Sequence, residues 1–544
     1  MIITIFVPVA FAAEETYEAT PIIFLRGNGE AIHYENGAGE QAKIDIGEVL
    51  GDESIYDVEG MKKEVVNILI PFITKGLPFD EWDECRKAIY NAISPFFKQS
   101  GLDGNGEAQM GTTISAASQA SNANPVEKVA DYYSTGEYTY HYDWRLDPYD
   151  NVDGLNDYIT LVLAKTQKNQ VSIVSRCLGG TLLNAYLEKY GKDGRVKNVV
   201  YCDTLANGST ILSKVLSGKL SIDGKNTQRY LGQLERCAEL GNGIGFALPG
   251  FLDDVVTTTL DLFTQTNVTD TIGDSVEKLY DELLQVLLPA LLHAVGYANN
   301  ANYWACVRDE DFDDAIGFLF GEEGSEAYEY YRGFITKIKN YNDKVSSKLP
   351  GLINTFINDY EINIGNVSKY GYINASLTED NDLLSDALAS LPHATFGATC
   401  AKVGETLSDS YIANSNSKYI SPDKQVDLST AVSPDKTWVI KNCHHDYWEI
   451  VYKIADEFCN SEDMTVEKST YPQFMMYDEI NKTWSEMTED NCADLDFMGL
   501  AEKEPTVQTK LAASIRFLTM LLKLFTMLFN GELSFDSIGS LFGK

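Results

Sequence analysis

Short apolar runs rich in β-branched residues alternate along this chain with segments whose apolar positions recur every three or four residues. The first pattern predicts buried strands and the second predicts helices. Strands are predicted over 21–26 (PIIFLR), 137–145 (EYTYHYDWR), 171–175 (VSIVS), 197–202 (KNVVYC), 361–370 (EINIGNVSKY) and 437–442 (TWVIKN), with helices over 151–165 and from 179 onward. Strand alternating with helix is the pattern of a mostly parallel sheet with helices on its faces, and a site in such a sheet belongs at the carboxyl ends of the strands.

Two stretches break the alternation. Over 40–130, apolar spacing suggests helices at 65–73 and 82–97, and the polar, Gly/Ser/Ala-rich 100–124 reads as a mobile loop. From 210 to 358 helical spacing dominates, as in 276–295 (VEKLYDELLQVLLPALLHAV), whose apolar 286–295 part could line a pocket or simply pack helix on helix. The expected organisation is therefore an α/β core over 14–204, a helical cap over 205–360, a second core part over 361–460 and a C-terminal extension over 461–544. In that extension Leu511, Ile515, Leu518, Leu522, Phe525 and Phe529 form a broad apolar face opposite Arg516, Thr519, Lys523, Thr526 and Asn530. Two charges in so short a stretch argue against a membrane span, and leave either peripheral contact with a membrane or docking onto the chain's own domain. Residues 1–13 (MIITIFVPVAFAA) have the apolar core and small-residue end of a secretory signal without its basic start, which predicts a secreted or cell-surface protein; the alternative is a buried strand.

Composition narrows the partners. With 80 acidic against 43 basic residues, the formal net charge of -37 repels nucleic acid, so no nucleic-acid partner is expected. Nine cysteines show no CxxC spacing, so no metal and no cofactor is expected. A secreted chain could pair eight of them and leave Cys177 free; scattered buried thiols are the alternative.

The chemistry concentrates in 171–187 (VSIVSRCLGGTLLNAYL), where a strand pattern stops at Arg176-Cys177-Leu178-Gly179-Gly180 and a helical one begins. A nucleophile elbow has this form: its middle residue stands up in a strained turn, and small neighbours let strand and helix approach. The middle residue here is Cys177. A thiolate nucleophile needs a base, and the base needs an orienting acid. Of six histidines only His444 and His445 follow a late strand, in the order nucleophile, acid, histidine that the α/β-hydrolase fold uses; His445 is preferred, with His444 as alternative. Asp386 is the first choice of acid and Asp423 the second. Backbone N–H groups of Leu178 and of Asn28, in the Gly-rich turn after the first strand, would form the oxyanion hole.

Tyr142-Asp143-Trp144-Arg145-Leu146-Asp147-Pro148, a helix, and then the elbow resemble the lecithin:cholesterol acyltransferase-like α/β-hydrolases, most specifically across 137–210. Serine is the family nucleophile, so Cys177 departs from the pattern, as do Arg176 and Arg26 where histidine is usual. The elbow is also similar to the cysteine lipase box of polyhydroxyalkanoate synthases, acyltransferases that use a thioester. The resemblance implies an α/β-hydrolase fold and a lipid-ester hydrolase or acyltransferase working through an acyl-cysteine. The competing reading is a hydrolase-like binding protein that lost its activity with its serine.

Overall fold

In the computed structural model of the chain, the structure describes residues 19–27, 32–35, 41–43, 86–87, 90–91, 94, 101–220, 229–230, 233, 288–290, 292–294, 296–374, 382–415 and 417–495. Its centre is an eight-stranded sheet: β1 (Ile22–Leu25), β2 (Glu137–Tyr140), β3 (Val171–Arg176), β4 (Val196–Cys202), β5 (Asn363–Tyr370), β6 (Thr437–Lys441), β7 (Phe474–Asp478) and β8 (Thr483–Glu486). The strands lie in the order β8-β7-β6-β5-β4-β3-β1-β2, and every neighbouring pair is parallel except β7 with β8.

The near-continuous apolar strands follow from helices covering both faces of the sheet. Ile23, Leu25, Ile173, Val199 and Tyr201 pack on one side with Val152, Leu155, Ile159 and Val162 of α1 (Pro148–Thr166) and Leu182, Leu183, Tyr186 and Leu187 of α2 (Gly179–Tyr190). Ile22, Phe24, Val174, Val200, Val367 and Trp438 point the other way. They meet Ile450, Val451, Ile454, Ala455 and Phe458, which form one stripe of a helix spanning Glu449–Cys459. Full burial of each such aliphatic side chain stabilises the fold by about 1.5–3 kcal/mol. Helix α1 starts where Asp147 accepts the Tyr149 N–H at 2.8 Å and Pro148 fixes the first helical position.

Register sets the height of the site. Leu25 pairs with Ser175 and Arg176 with Cys202, so β1, β3 and β4 end close to one level, while β5 and β6, in which Tyr370 pairs with Lys441, run on together past Val367, the partner of Cys202. Above that edge lies a helical layer in which Ile211, Leu212, Leu216, Trp304, Phe312, Phe320 and Phe334 share one apolar cluster with Cys177 and Leu178. Leu288 and Leu292, from the apolar stretch noted above, are buried in the same cluster.

Several expectations change. Residues 100–124 hold a helix over Ala116–Ala123, capped by Ser115, and a turn in which Asp103 accepts the N–H groups of Asn105 and Glu107 at 2.8 and 3.0 Å. Short polar side chains order this stretch, and apolar periodicity is blind to them. The strand read over 137–145 stops at Tyr140, because Asp143 and Arg145 turn the chain into a buried ion pair at 2.6 Å. The C-terminal extension, for which only a helix was expected, supplies β7 and β8. A three-stranded antiparallel sheet, Ile32–Glu35 with Gln41–Lys43 and Thr113–Ile114, was not foreseen and takes up His33. Seven of the nine cysteines are described, and no disulfide joins any of them, so pairing of eight does not occur; they are distributed among separate cores. Among the described residues no helix is long and apolar enough to cross a membrane. The stretches 1–13, 65–73 and 511–530, and Asn28, lie outside the described residues.

Candidate active site

Cys177 stands at the break between β3 and α2 with φ +52°, a conformation that costs a residue other than glycine about 1–3 kcal/mol. The surroundings enforce it. The Cys177 N–H donates to the Cys202 carbonyl at 3.1 Å, and its own carbonyl accepts from the N–H groups of Gly180 and Leu205, each at 3.3 Å. A Cβ on Gly179 would fall 2.4 Å from the Leu25 carbonyl oxygen, and one on Gly180 only 2.1 Å from Thr204 Oγ1. These two glycines therefore let helix, turn and strand come together as closely as they do. On the opposite side, a Cβ on Gly27 would sit 3.1 Å from Cys177 Cβ and 3.4 Å from the Leu178 nitrogen. Residue 27 thus leaves open the space in front of the Leu178 N–H, at the amino end of α2, where a developing negative charge is favoured.

His445, in the loop after β6, is 5% exposed. Its Nδ1 lies 2.7 Å from Asp386 Oδ2 and its N–H donates to the Asp386 carbonyl at 2.9 Å. Cys177 lies close enough to the same ring to raise its pKa, and with Nδ1 taken by Asp386 the nitrogen left for a further partner is Nε2. Burial works against charge on His445, but Asp386 and Cys177 outweigh it and raise its pKa to about 10. Burial would likewise raise the Asp386 carboxyl; His445 overcomes that and holds it below its ordinary value. Asp386 Oδ1 accepts the N–H groups of Leu388 and Ala389 at 3.0 and 2.7 Å, so the carboxylate is fixed from both ends.

The structure thus brings Cys177, His445 and Asp386 together with the Leu178 N–H. It does not bring in the two alternatives. His444 turns away: its Nδ1 accepts the Asp446 N–H at 3.2 Å, its ring packs edge-on against Tyr372, and burial pushes its pKa down to about 4. Asp423 is held by Lys441 and by the Tyr370 hydroxyl, each at 2.8 Å.

Two residues of the site escaped the sequence reading. Asp203, directly after β4 with φ +42°, is fully buried, and so is Lys369 on β5, with Nζ 2.9 Å from Asp203 Oδ2. The same ammonium donates to the carbonyls of His444, His445 and Tyr447 at 3.0, 2.9 and 2.9 Å and lies 4.3 Å from the centre of the Trp448 ring. Burial would strip Lys369 of its proton, but Asp203 more than compensates and its pKa is raised. Burial raises Asp203 to about 6 against the pull of Lys369. The signals were a lysine inside an apolar strand and an aspartate ending a strand level with the elbow. Oxygens of Asp203 and Asp386 and a ring nitrogen of His445 lie within 4.8 Å of one another, a spacing a divalent ion could bridge. The Lys369 ammonium already supplies a fixed cation there. Arg176, ahead of Cys177, stacks its guanidinium 3.4 Å from the Trp448 ring centre, and Trp448 packs edge-on against His445.

Compared with protein-family models, with curated proteins and with solved structures, the chain matches none.

Proposed function

We propose that the protein is an α/β-hydrolase-fold enzyme, a lipid-ester hydrolase or acyltransferase, that works through an acyl-cysteine on Cys177. The observation that carries this reading is His445 held by Asp386 with Cys177 beside its ring, Cys177 itself standing in left-handed backbone at a strand-to-helix turn. Support also comes from the order of nucleophile, acid and histidine along the chain and from the parallel sheet beneath them.

The raised pKa of His445 makes its ring a strong proton acceptor, so the attacking species is written as a thiolate beside an imidazolium. In the reaction, Cys177 Sγ attacks the ester carbonyl and the Leu178 N–H receives the developing oxyanion. The carbon–oxygen bond to the alcohol then breaks, and the departing alkoxide takes the His445 proton. Neutral His445 next accepts a proton from water or from an acceptor alcohol, whose oxygen attacks the thioester and restores the thiolate. The apolar cluster around Cys177 and Leu178 suits a hydrocarbon-like acyl group. A non-catalytic binding protein would instead be expected to pack Cys177 among apolar atoms with no histidine beside it.

The test is to incubate the protein with iodoacetamide and, separately, with short- and long-chain p-nitrophenyl esters, beside Cys177→Ala. Rapid labelling of Cys177 and Cys177-dependent ester turnover are expected. Labelling no faster than that of an ordinary thiol, with no turnover, would sink the reading.

A further inference from the structure

Lys369 carries three ammonium protons, and its three carbonyl partners accept all of them. The Asp203 carboxylate, 2.9 Å from that nitrogen, is held chiefly by its charge, and among the described residues Lys369 is the one group that pairs with its buried oxygens. A buried carboxylate in this state is costly to keep. Asp203 is nevertheless locked in place: its φ is +42° and its N–H donates to the Val367 carbonyl at 2.9 Å.

We propose that Asp203 is a positioning residue, a second carboxylate serving the His445 imidazolium beside Asp386, with Lys369 binding the β4 end and the histidine loop into one unit. The inference rests on the function proposed for Cys177 and His445 and assigns that site a fourth electrostatic partner. The charged and titratable groups facing His445 are Asp386 from the loop after β5, Asp203 from the end of β4, Lys369 from β5 itself, Cys177 from the elbow, and His444 and Asp446 from its own loop. Of these, Lys369 opposes charge on the ring, His444 is kept neutral by burial, and Asp446 is partly exposed beside His444 at 3.7 Å. Asp386 has a proton directed at it and Asp203 has none, so Asp203 can keep the ring charged without pulling its hydrogen bond away from Asp386.

The experiment follows the His445 ring by NMR titration of the full chain with isotope-labelled histidine, the signal assigned with His445→Gln. In Asp203→Asn the midpoint is expected to fall by about one pH unit or more, the effect of losing an opposite charge at this range. In a Cys177→Ala, Asp386→Asn double variant Asp203 is the remaining carboxylate, and the midpoint is expected to stay above the ordinary histidine value of about 6.5. A folded Asp203→Asn protein with an unmoved midpoint overturns the inference, as does a midpoint at or below the ordinary value in the double variant. Should Asp203→Asn not fold, the double variant decides. Ester turnover and Cys177 labelling are separate readouts, so loss of the proposed function and loss of this inference are told apart.

Discussion

His445 and Asp386 are joined twice, by Nδ1 to Oδ2 at 2.7 Å and by the His445 N–H to the Asp386 carbonyl at 2.9 Å. The side-chain bond orients the imidazole, and the backbone bond fixes the loops that carry the two residues. A ring held this way has little freedom to rotate.

That pair sets a pH window. His445 binds its proton more tightly in the folded chain, so its contribution to stability is complete below the unfolded value of about 6.5 and is lost as pH rises through about 10. Asp386 binds its proton less tightly when folded, so its share is present above about pH 4 and is lost as pH falls through its depressed pKa. Removing one partner of a buried pair costs about 3–5 kcal/mol. Asp386→Ala is expected to lose that much in urea unfolding at neutral pH, with the gap to wild type narrowing in acid and above pH 10.

Cys177→Ser is expected to lose at least about a hundredfold in ester turnover, the lower range of what general-base assistance contributes. A hydroxyl gives up its proton far less readily than a thiol, so a serine depends more heavily on its base than the cysteine does. Initial-rate assays beside Cys177→Ala check this, and a serine variant matching wild type would contradict it.

Lys369→Met should destabilise the chain by about 3–5 kcal/mol, since it strands Asp203 and three loop carbonyls at once. Lys369→Arg should not restore the loss, because a planar guanidinium cannot direct its protons at all three carbonyls from one point. Thermal and urea unfolding of both variants provide the comparison.

Two glycine substitutions are expected to differ. Gly179→Ala places a methyl against the fixed backbone oxygens of Leu25 and Arg26, at 2.4 and 2.8 Å, and should cost about 1–3 kcal/mol or more and slow Cys177 alkylation. Gly317, inside the helix Asp309–Phe320, has nothing within 4 Å of an added Cβ. Gly317→Ala should be neutral or stabilise by about 0.5–1 kcal/mol.

The sequence made the elbow legible because its signal is local: a β-branched run, then Gly179-Gly180, then helical spacing. His445 was legible through chain order, since few histidines compete and only a neighbouring pair follows β6. Asp203 and Lys369 were not, because one aspartate among 80 acidic residues carries no mark of burial and a lysine becomes structural only when four partners from distant segments close around it. The helix Ala116–Ala123 and the strands β7 and β8 were hidden for another reason: capping hydrogen bonds and sheet-edge pairing shape them, and apolar spacing reports neither.

Cys177 is only 6% exposed and belongs to the same apolar cluster as Trp304 and Phe320. An acyl group carried on its sulfur would fill much of what opening remains, so the thioester would decay slowly unless an acceptor came in with it. Whether such an intermediate ends as free acid or as a new ester would then be decided by which hydroxyl can reach the sulfur, and only secondarily by how reactive that hydroxyl is.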